Sequence, residues 1–91
     1  MKPETLNKKI IERLINHYGF KRKDFNRKFY VYECDFGMGT IVVFIDFASV
    51  SIDLIGESTS IALAHRYQCT KVSDIDFLLK NNGRLSGLLK I

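Results

Sequence analysis

The stretch that decides the fold is residues 29–55, FYVYECDFGMGTIVVFIDFASVSIDLI, in which polar and apolar side chains alternate around two short turns. A period of two residues is typical of β-strands that bury one face. Glycines at 37 and 39 suit the tight turn of a hairpin. The predicted strands are residues 29–36, 40–47 and 50–55, joined by the two-residue loops 38–39 and 48–49.

Polarity indicates which side of each strand is buried, because a slip of one residue would exchange the two faces. With two-residue loops, one face of the three strands holds only apolar and aromatic side chains. The opposite face holds the acidic residues together with Val42 and Phe44. In this register Glu33 and Asp53 flank Phe44. The pattern predicts an antiparallel sheet with one solvated face.

The segment before the sheet predicts an amphipathic helix over about residues 3–18, because apolar residues recur there at steps of three and four. Gly19 is placed to end this helix in the left-handed conformation, and Phe20 can then fold back onto its last turn. Residues 21–28, KRKDFNRK, are predicted to form a basic connector.

The segment after the three predicted strands contains more than one kind of secondary-structure pattern. Residues 61–69 alternate as a fourth strand would, although they also have adequate helix propensity, so both alternatives stay open. A short helix is predicted over about residues 73–82. The tail, residues 84–91, carries enough apolar side chains that we expect it to dock on this core or on a partner.

The fold class that follows is α+β in a single domain spanning residues 1–91. It has an N-terminal amphipathic helix, an antiparallel meander of three to four strands and a short C-terminal helix, with both helices covering the apolar face of the sheet as two layers. The longest apolar run is Ile41–Ile45, far short of a membrane span, so no membrane is predicted as a partner. Two cysteines without a disulfide framework favour free thiols in the cytoplasm.

Charge is distributed unevenly along the chain. Residues 1–30 carry a net charge of +6 and residues 31–91 a net charge of −2, which gives the total of +4. Clustered cations beside an aromatic ring can bind phosphates and stack on a base. The candidate nucleic-acid-binding residues are Lys8, Lys9, Arg13, Lys21, Arg22, Lys23, Phe25, Arg27 and Lys28.

A protein interface is the other candidate site. Apolar side chains on the acidic sheet face resemble the centre of an interface surrounded by polar residues, and the apolar tail is a second exposed hydrophobic feature if it does not dock on the core. The candidate interface residues are Val42, Phe44, Leu85, Leu88, Leu89 and Ile91.

Catalytic and ligand motifs are missing from the sequence. Zinc sites usually pair Cys or His at short spacing, and His17, His65, Cys34 and Cys69 show no such pairs. The sequence has no glycine-rich phosphate loop. We therefore predict no metal site, no cofactor, no small-molecule ligand and no enzymatic activity.

The order of one helix, three strands and one helix, with the Gly19-Phe20 step before a basic stretch, resembles the double-stranded RNA-binding domain and the HicA-type toxin, a small ribonuclease. The resemblance covers about residues 5–55. It supports the fold more than an activity, because residues 26–29 read Asn-Arg-Lys-Phe without the HicA histidine and residues 73–76 hold two aspartates where RNA-binding domains carry lysines. In length and general composition the chain is also similar to orphan proteins of phages and mobile elements.

These observations favour a small non-enzymatic protein-interaction module, with an unknown protein partner or self-association as a homodimer. The alternative is a nucleic-acid-binding domain that uses the basic face of the first helix and the 21–28 loop.

Overall fold

The computed structural model describes residues 2–25, 30–35, 37 and 39–90, without the side chains of residues 24 and 25. The elements in chain order are α1 (Pro3–Asn16), β1 (Lys21–Phe25), β2 (Tyr30–Asp35), β3 (Thr40–Asp46), β4 (Ser49–Ile55), β5 (Ser60–Gln68), α2 (Ser73–Lys80) and α3 (Gly83–Leu89). The chain therefore has the α+β architecture that its sequence predicts.

The strands form one antiparallel sheet in the order β1-β2-β3-β4-β5, so each strand lies beside its neighbour in sequence. In the part of the chain that the structure describes, the sheet has five strands, where three to four were predicted. The strand predicted at residues 61–69 is confirmed as β5, which settles the choice between strand and helix there. Its pairing with β4 shifts register at two places, and Arg66 adopts a positive φ of 48°.

The additional strand is β1, in the segment predicted as a basic connector. Lysine-rich sequence has low strand propensity, which is why the prediction was wrong for residues 21–25. Tertiary pairing outweighs that propensity here. Lys21 lies opposite Glu33 in the ladder, and Lys23 Nζ lies 3.2 Å from Glu33 Oε2. Opposite charges across neighbouring strands make this edge strand compatible with the sheet.

The register differs from the prediction by two residues. Tyr32 pairs with Val43 rather than Ile45, and Val43 pairs with Ile52 rather than Leu54. Because side chains repeat every two residues, this shift leaves every strand residue on its predicted face. The second turn consequently falls at Phe47-Ala48, where residues 48–49 were predicted.

The hydrophobic core lies between one face of the sheet and the helices. The inward strand residues include Tyr32, Ile41, Val43, Ile45, Val50 and Ile52, and they share a single cluster with Leu6, Ile10 and Leu14 of α1 and with Ile75, Leu79 and Leu85 of α2 and α3. The prediction of two layers is therefore confirmed, with helices on the apolar face.

Helix α1 ends at Asn16, two residues before the predicted end. Gly19 has a φ of 73°, and the backbone N–H of Phe20 donates to the carbonyl of Leu14 at 2.9 Å. This left-handed ending satisfies an orphan carbonyl and turns Phe20 into the core, where it is buried. The predicted role of Gly19 is thus confirmed.

The C-terminal tail does not remain extended. Residues 83–89 form α3, capped by Asn82, whose side-chain oxygen accepts from the backbone N–H groups of Arg84 and Leu85 at 3.1 Å each. Helix α2 ends correspondingly at Lys80 instead of 82. Of the two predicted destinations of the tail, the structure shows docking on the chain's own core.

Candidate interaction surface

The predicted interface residues lie on two opposite sides of the sheet. Leu85 is 1% exposed within the core, and Leu88 and Leu89 pack against that core. Ile91 lies outside the described residues. Leu85 is therefore a folding residue and is unavailable to a partner, because α3 closes over the sheet. The predicted interface is therefore corrected for Leu85, while the half-buried Leu88 and Leu89 stay candidates together with Val42 and Phe44.

Val42 and Phe44 lie on the side of the sheet that faces away from the helices, which we call the open face. Its central positions are Val31, Glu33, Val42, Phe44, Ser51 and Asp53, as the strand pairing shows. Within the described part of the chain, no helix covers this face. It is the solvated face that the sequence predicts.

Val42 stands at the centre of the open face and is only 4% exposed. Its partners across the two ladders are Glu33 on β2 and Asp53 on β4. The sequence predicted that these carboxylates would flank Phe44. That prediction is wrong, because the register is shifted by two residues and they flank Val42 instead. Phe44 is instead paired with Val31 and Ser51 and remains partly exposed. An apolar centre thus lies between carboxylates.

The candidate nucleic-acid residues are spread over separate surfaces. Lys21 and Lys23 border the open face on β1, whereas Arg22 shares the helix-covered side with its ladder partner Tyr32. Lys8 and Lys9 are exposed on α1 and line different depressions, Lys8 beside Phe47 and Lys9 beside Val72. The side chain of Phe25, and all of Arg27 and Lys28, lie outside the described residues.

Arg13 is committed to an ion pair between helices. Its Nε and Nη2 atoms donate to the two carboxylate oxygens of Asp76 at 3.0 and 3.1 Å, in a bidentate arrangement that joins α1 to α2. The Tyr18 hydroxyl donates to the same carboxylate. Arg13 therefore stabilises the packing of the helices, which sequence spacing could not reveal because the partners are 63 positions apart.

This network changes the acidity of its members. Burial alone would raise the pKa of Asp76, but the hydrogen bonds from Arg13 and Tyr18 outweigh it, and the pKa lies below its ordinary value. The pKa of Tyr18 is raised to about 12, first by burial and then by its hydrogen bond to Asp76. The three groups satisfy one another, as structural ion pairs do.

A feature that the sequence did not indicate is the exposed Phe47 ring at the turn between β3 and β4. Phe47 and Ala48 have φ values of 48° and 64°, although glycine or asparagine normally occupies such positions. The Phe47 ring is 62% exposed. It borders a cleft formed with α1 and with Tyr30 and Asp46, which we call the Phe47 cleft. The sequence predicted the turn one residue later, at 48–49, because Phe-Ala is atypical of the two central positions.

The cysteines are free thiols. Cys69 is buried, and burial raises its pKa to about 11. Burial also raises the pKa of Cys34. Higher pKa values leave less of the reactive thiolate at neutral pH. Among the described residues, no three His, Cys, Asp or Glu side chains come together as a metal site, and no helix has the length and apolarity required to cross a membrane.

Comparison of the chain with protein-family models, with curated proteins and with solved structures found no match. The resemblance to double-stranded RNA-binding and HicA-type domains therefore stays a prediction, and the argument for function depends on the geometry of the chain itself.

Proposed function

We propose that this chain is a small non-enzymatic protein-binding module whose contact surface is the open face of the sheet. The observation that carries the proposal is the placement of every described helix on one side. This leaves on the other side Phe44, which is partly exposed, next to Val42, which is nearly buried between Glu33 and Asp53. An apolar centre with a charged rim is the usual anatomy of a protein interface.

Charge favours a particular kind of partner. The open face carries Asp53 on one side of Val42 and, on the other, Glu33, whose carboxylate is already paired with Lys23, although the whole chain has a net charge of +4. A partner surface with cationic groups around an apolar patch would complement this arrangement. Electrostatic complementarity of this kind contributes mainly to association rate and to selection against wrong partners. A second copy could meet this description with its own basic N-terminal part.

Nucleic-acid binding has weaker support. Phosphate binding benefits from cations on one continuous surface. The described cations occupy separate surfaces, Arg13 is engaged by Asp76, and Lys23 is engaged by Glu33. Glu33 stands beside both Lys21 and Lys23 and would repel phosphates. The protein-binding proposal therefore ranks first, and nucleic-acid binding becomes one outcome of its test.

The non-enzymatic part of the proposal is supported by the groups with perturbed pKa values. The Asp76 carboxylate accepts from both Arg13 and Tyr18 in a packing contact between α1 and α2. We propose the cytoplasm as the compartment, because free Cys34 and Cys69 suit a reducing environment.

The test is site-specific photo-crosslinking in cells that express the full chain. The photoreactive residue p-benzoylphenylalanine replaces Phe44 in one variant and Phe77 in the control, which is an exposed phenylalanine on α2. We expect a discrete protein adduct from position 44 and little from position 77. The double reversal E33K/D53K should remove the adduct, whereas reversal of the exposed loop residue in E57K should leave it.

The mass of the adduct identifies the partner class. An adduct of twice the 10.5 kDa chain mass supports self-association, and any other protease-sensitive mass supports a different protein. An adduct that a nuclease removes would overturn the proposal in favour of nucleic acid. Equal yields from positions 44 and 77 would also overturn it, provided that circular dichroism shows both variants folded.

A further inference from the structure

The Phe47 cleft offers a second recognition element at the end of the sheet. It has a volume of about 560 Å³ and lies between the outer flank of α1 and the end of β3. Tyr30, Phe47 and Ile11 supply its apolar walls, and Glu4, Glu12 and Asp46 supply carboxylates. A cleft of this size accommodates a large side chain or a small ligand.

The Phe47 ring is held in an unfavourable backbone conformation. A positive φ is uncommon for a bulky residue and costs on the order of 1 kcal/mol or more. The surrounding structure fixes the turn through three contacts. The backbone N–H of Ala48 donates to Asn7 Oδ1, which is buried on α1. Cys69 N–H donates to the Ala48 carbonyl at 2.8 Å, and Gln68 Nε2 donates to the Phe47 carbonyl at 3.3 Å.

The charge of the cleft opposes that of the chain. Among the described residues, three carboxylates and a single ammonium group, that of Lys8, line it, while the chain carries +4 overall. Such a local excess of carboxylates favours a cationic occupant. Aromatic faces attract the same class of ligand, because a cation within about 6 Å of a ring centroid interacts with the ring quadrupole.

We propose that the Phe47 cleft takes an arginine side chain of the bound partner. The aliphatic stem would lie on Ile11, the planar guanidinium would stack on Tyr30 or Phe47, and the carboxylates would accept its N–H groups. Asp46 lines the cleft and lies two positions after Phe44 at the end of β3, so a partner that extends around this end of the sheet would contact both the open face and the cleft. The inference thus rests on the proposed function and adds a specific anchor to it.

The test is an NMR titration of the ¹⁵N-labelled full chain with N-acetyl-arginine methylamide. We expect saturable shifts confined to the cleft, with a dissociation constant on the order of 1 mM, because a single side chain offers little binding energy. The neutral isostere N-acetyl-citrulline methylamide should bind at least about tenfold more weakly, because it lacks the charge that the carboxylates and rings attract.

Two variants test whether arginine binds in the cleft or elsewhere on the surface. Phe47→Gly should weaken arginine binding about tenfold, since it removes one aromatic wall, and its spectrum should stay dispersed because glycine suits the turn. Phe77→Ala removes an exposed phenylalanine outside the cleft and should leave binding unchanged. Equal binding of citrulline, or binding unaffected by Phe47→Gly, would overturn the inference.

A titration with spermidine tests whether the cleft takes a free polyamine instead of a partner's side chain. Spermidine that saturates the same resonances while the arginine derivative produces no shift would overturn the arginine assignment. The outcome is also distinguishable from failure of the proposed function. Crosslinking from position 44 without arginine binding rejects only the cleft, whereas arginine binding without crosslinking rejects the protein-binding role of the open face.

Discussion

Val42 and Val43 are neighbours on β3 and both are buried, but different parts of the molecule bury them. Val43 points into the core beneath the helices. Val42 points to the open face, where residues of the adjacent strands surround it and no described helix does. Burial on the helix-covered face is produced by elements distant in sequence, whereas the described neighbours of Val42 across the ladders are strand residues. The helices stabilise the first face, and the second presents partly exposed residues such as Phe44.

The largest effect is expected where the helical layer is broken. Leu85→Ala should lower the free energy of unfolding by about 3 kcal/mol, because it removes a fully buried side chain and leaves a cavity under α3. Urea denaturation followed by circular dichroism measures the change. If Leu85 were an interface residue instead, the variant would keep its stability as a monomer and lose only association.

A matched pair of substitutions sharpens the comparison between the faces. Val43→Ala should cost about 2 kcal/mol, since each buried methylene contributes about 0.8 kcal/mol and a cavity adds to the loss. Val42→Ala should cost about 1 kcal/mol, because side chains on a face without a helix above it can relax into the space that is left. Equal losses in the same urea experiment would mean that both faces are covered equally.

The contact between α1 and α2 provides the next test. Asp76→Asn should cost about 1 to 2 kcal/mol at pH 7, because the hydrogen bonds of Arg13 and Tyr18 lose their charged acceptor at a partly exposed site. The pKa of Asp76 is lowered in the folded state. Its stabilising contribution is therefore present above the unfolded value of about 4 and is lost as the pH falls through the folded value.

Unfolding midpoints of the wild type and Asp76→Asn should accordingly converge below about pH 4. A difference between wild type and Asp76→Asn that persists unchanged at pH 3 would contradict the assigned role of the ion pair.

At alkaline pH the direction of the pH dependence is opposite for Tyr18, whose folded pKa of about 12 lies above its ordinary value of 10.0. The stabilising contribution of Tyr18 is complete below pH 10 and is lost as the pH rises to 12.

The smallest effect has the opposite sign. Phe47→Gly should raise stability by about 0.5 to 1 kcal/mol, because glycine adopts a positive φ without steric cost and the exposed ring contributes little burial. Thermal unfolding measures the gain, and the arginine titration should show the accompanying loss of binding. Phe77→Gly is the control, since glycine inside α2 should destabilise the chain. A loss of stability in Phe47→Gly would mean that the ring packs as part of the fold.

Much of the fold could be predicted from the sequence because the patterns that specify it are local. The three-to-four-residue spacing from Leu6 to Leu14 determines the buried stripe of α1, and Gly19 determines where that helix turns back. Alternation from Tyr30 to Leu54 determines which side of each strand is buried. The candidate site was predicted only in part. Val42 and Phe44 are on the expected face, whereas Leu85 is in the core and the Phe47 cleft was missed.

The sequence by itself determined the class, the helix-covered and open faces and the uneven charge, because periodicity and composition are properties of the chain alone. The tertiary structure decided the register, since a shift of two residues preserves the polarity of every face and therefore leaves no trace in the pattern. It also decided that Lys21 to Phe25 form a strand, that Arg13 binds Asp76 and that Phe47 is held beside α1. Each of these depends on partners brought together only by folding.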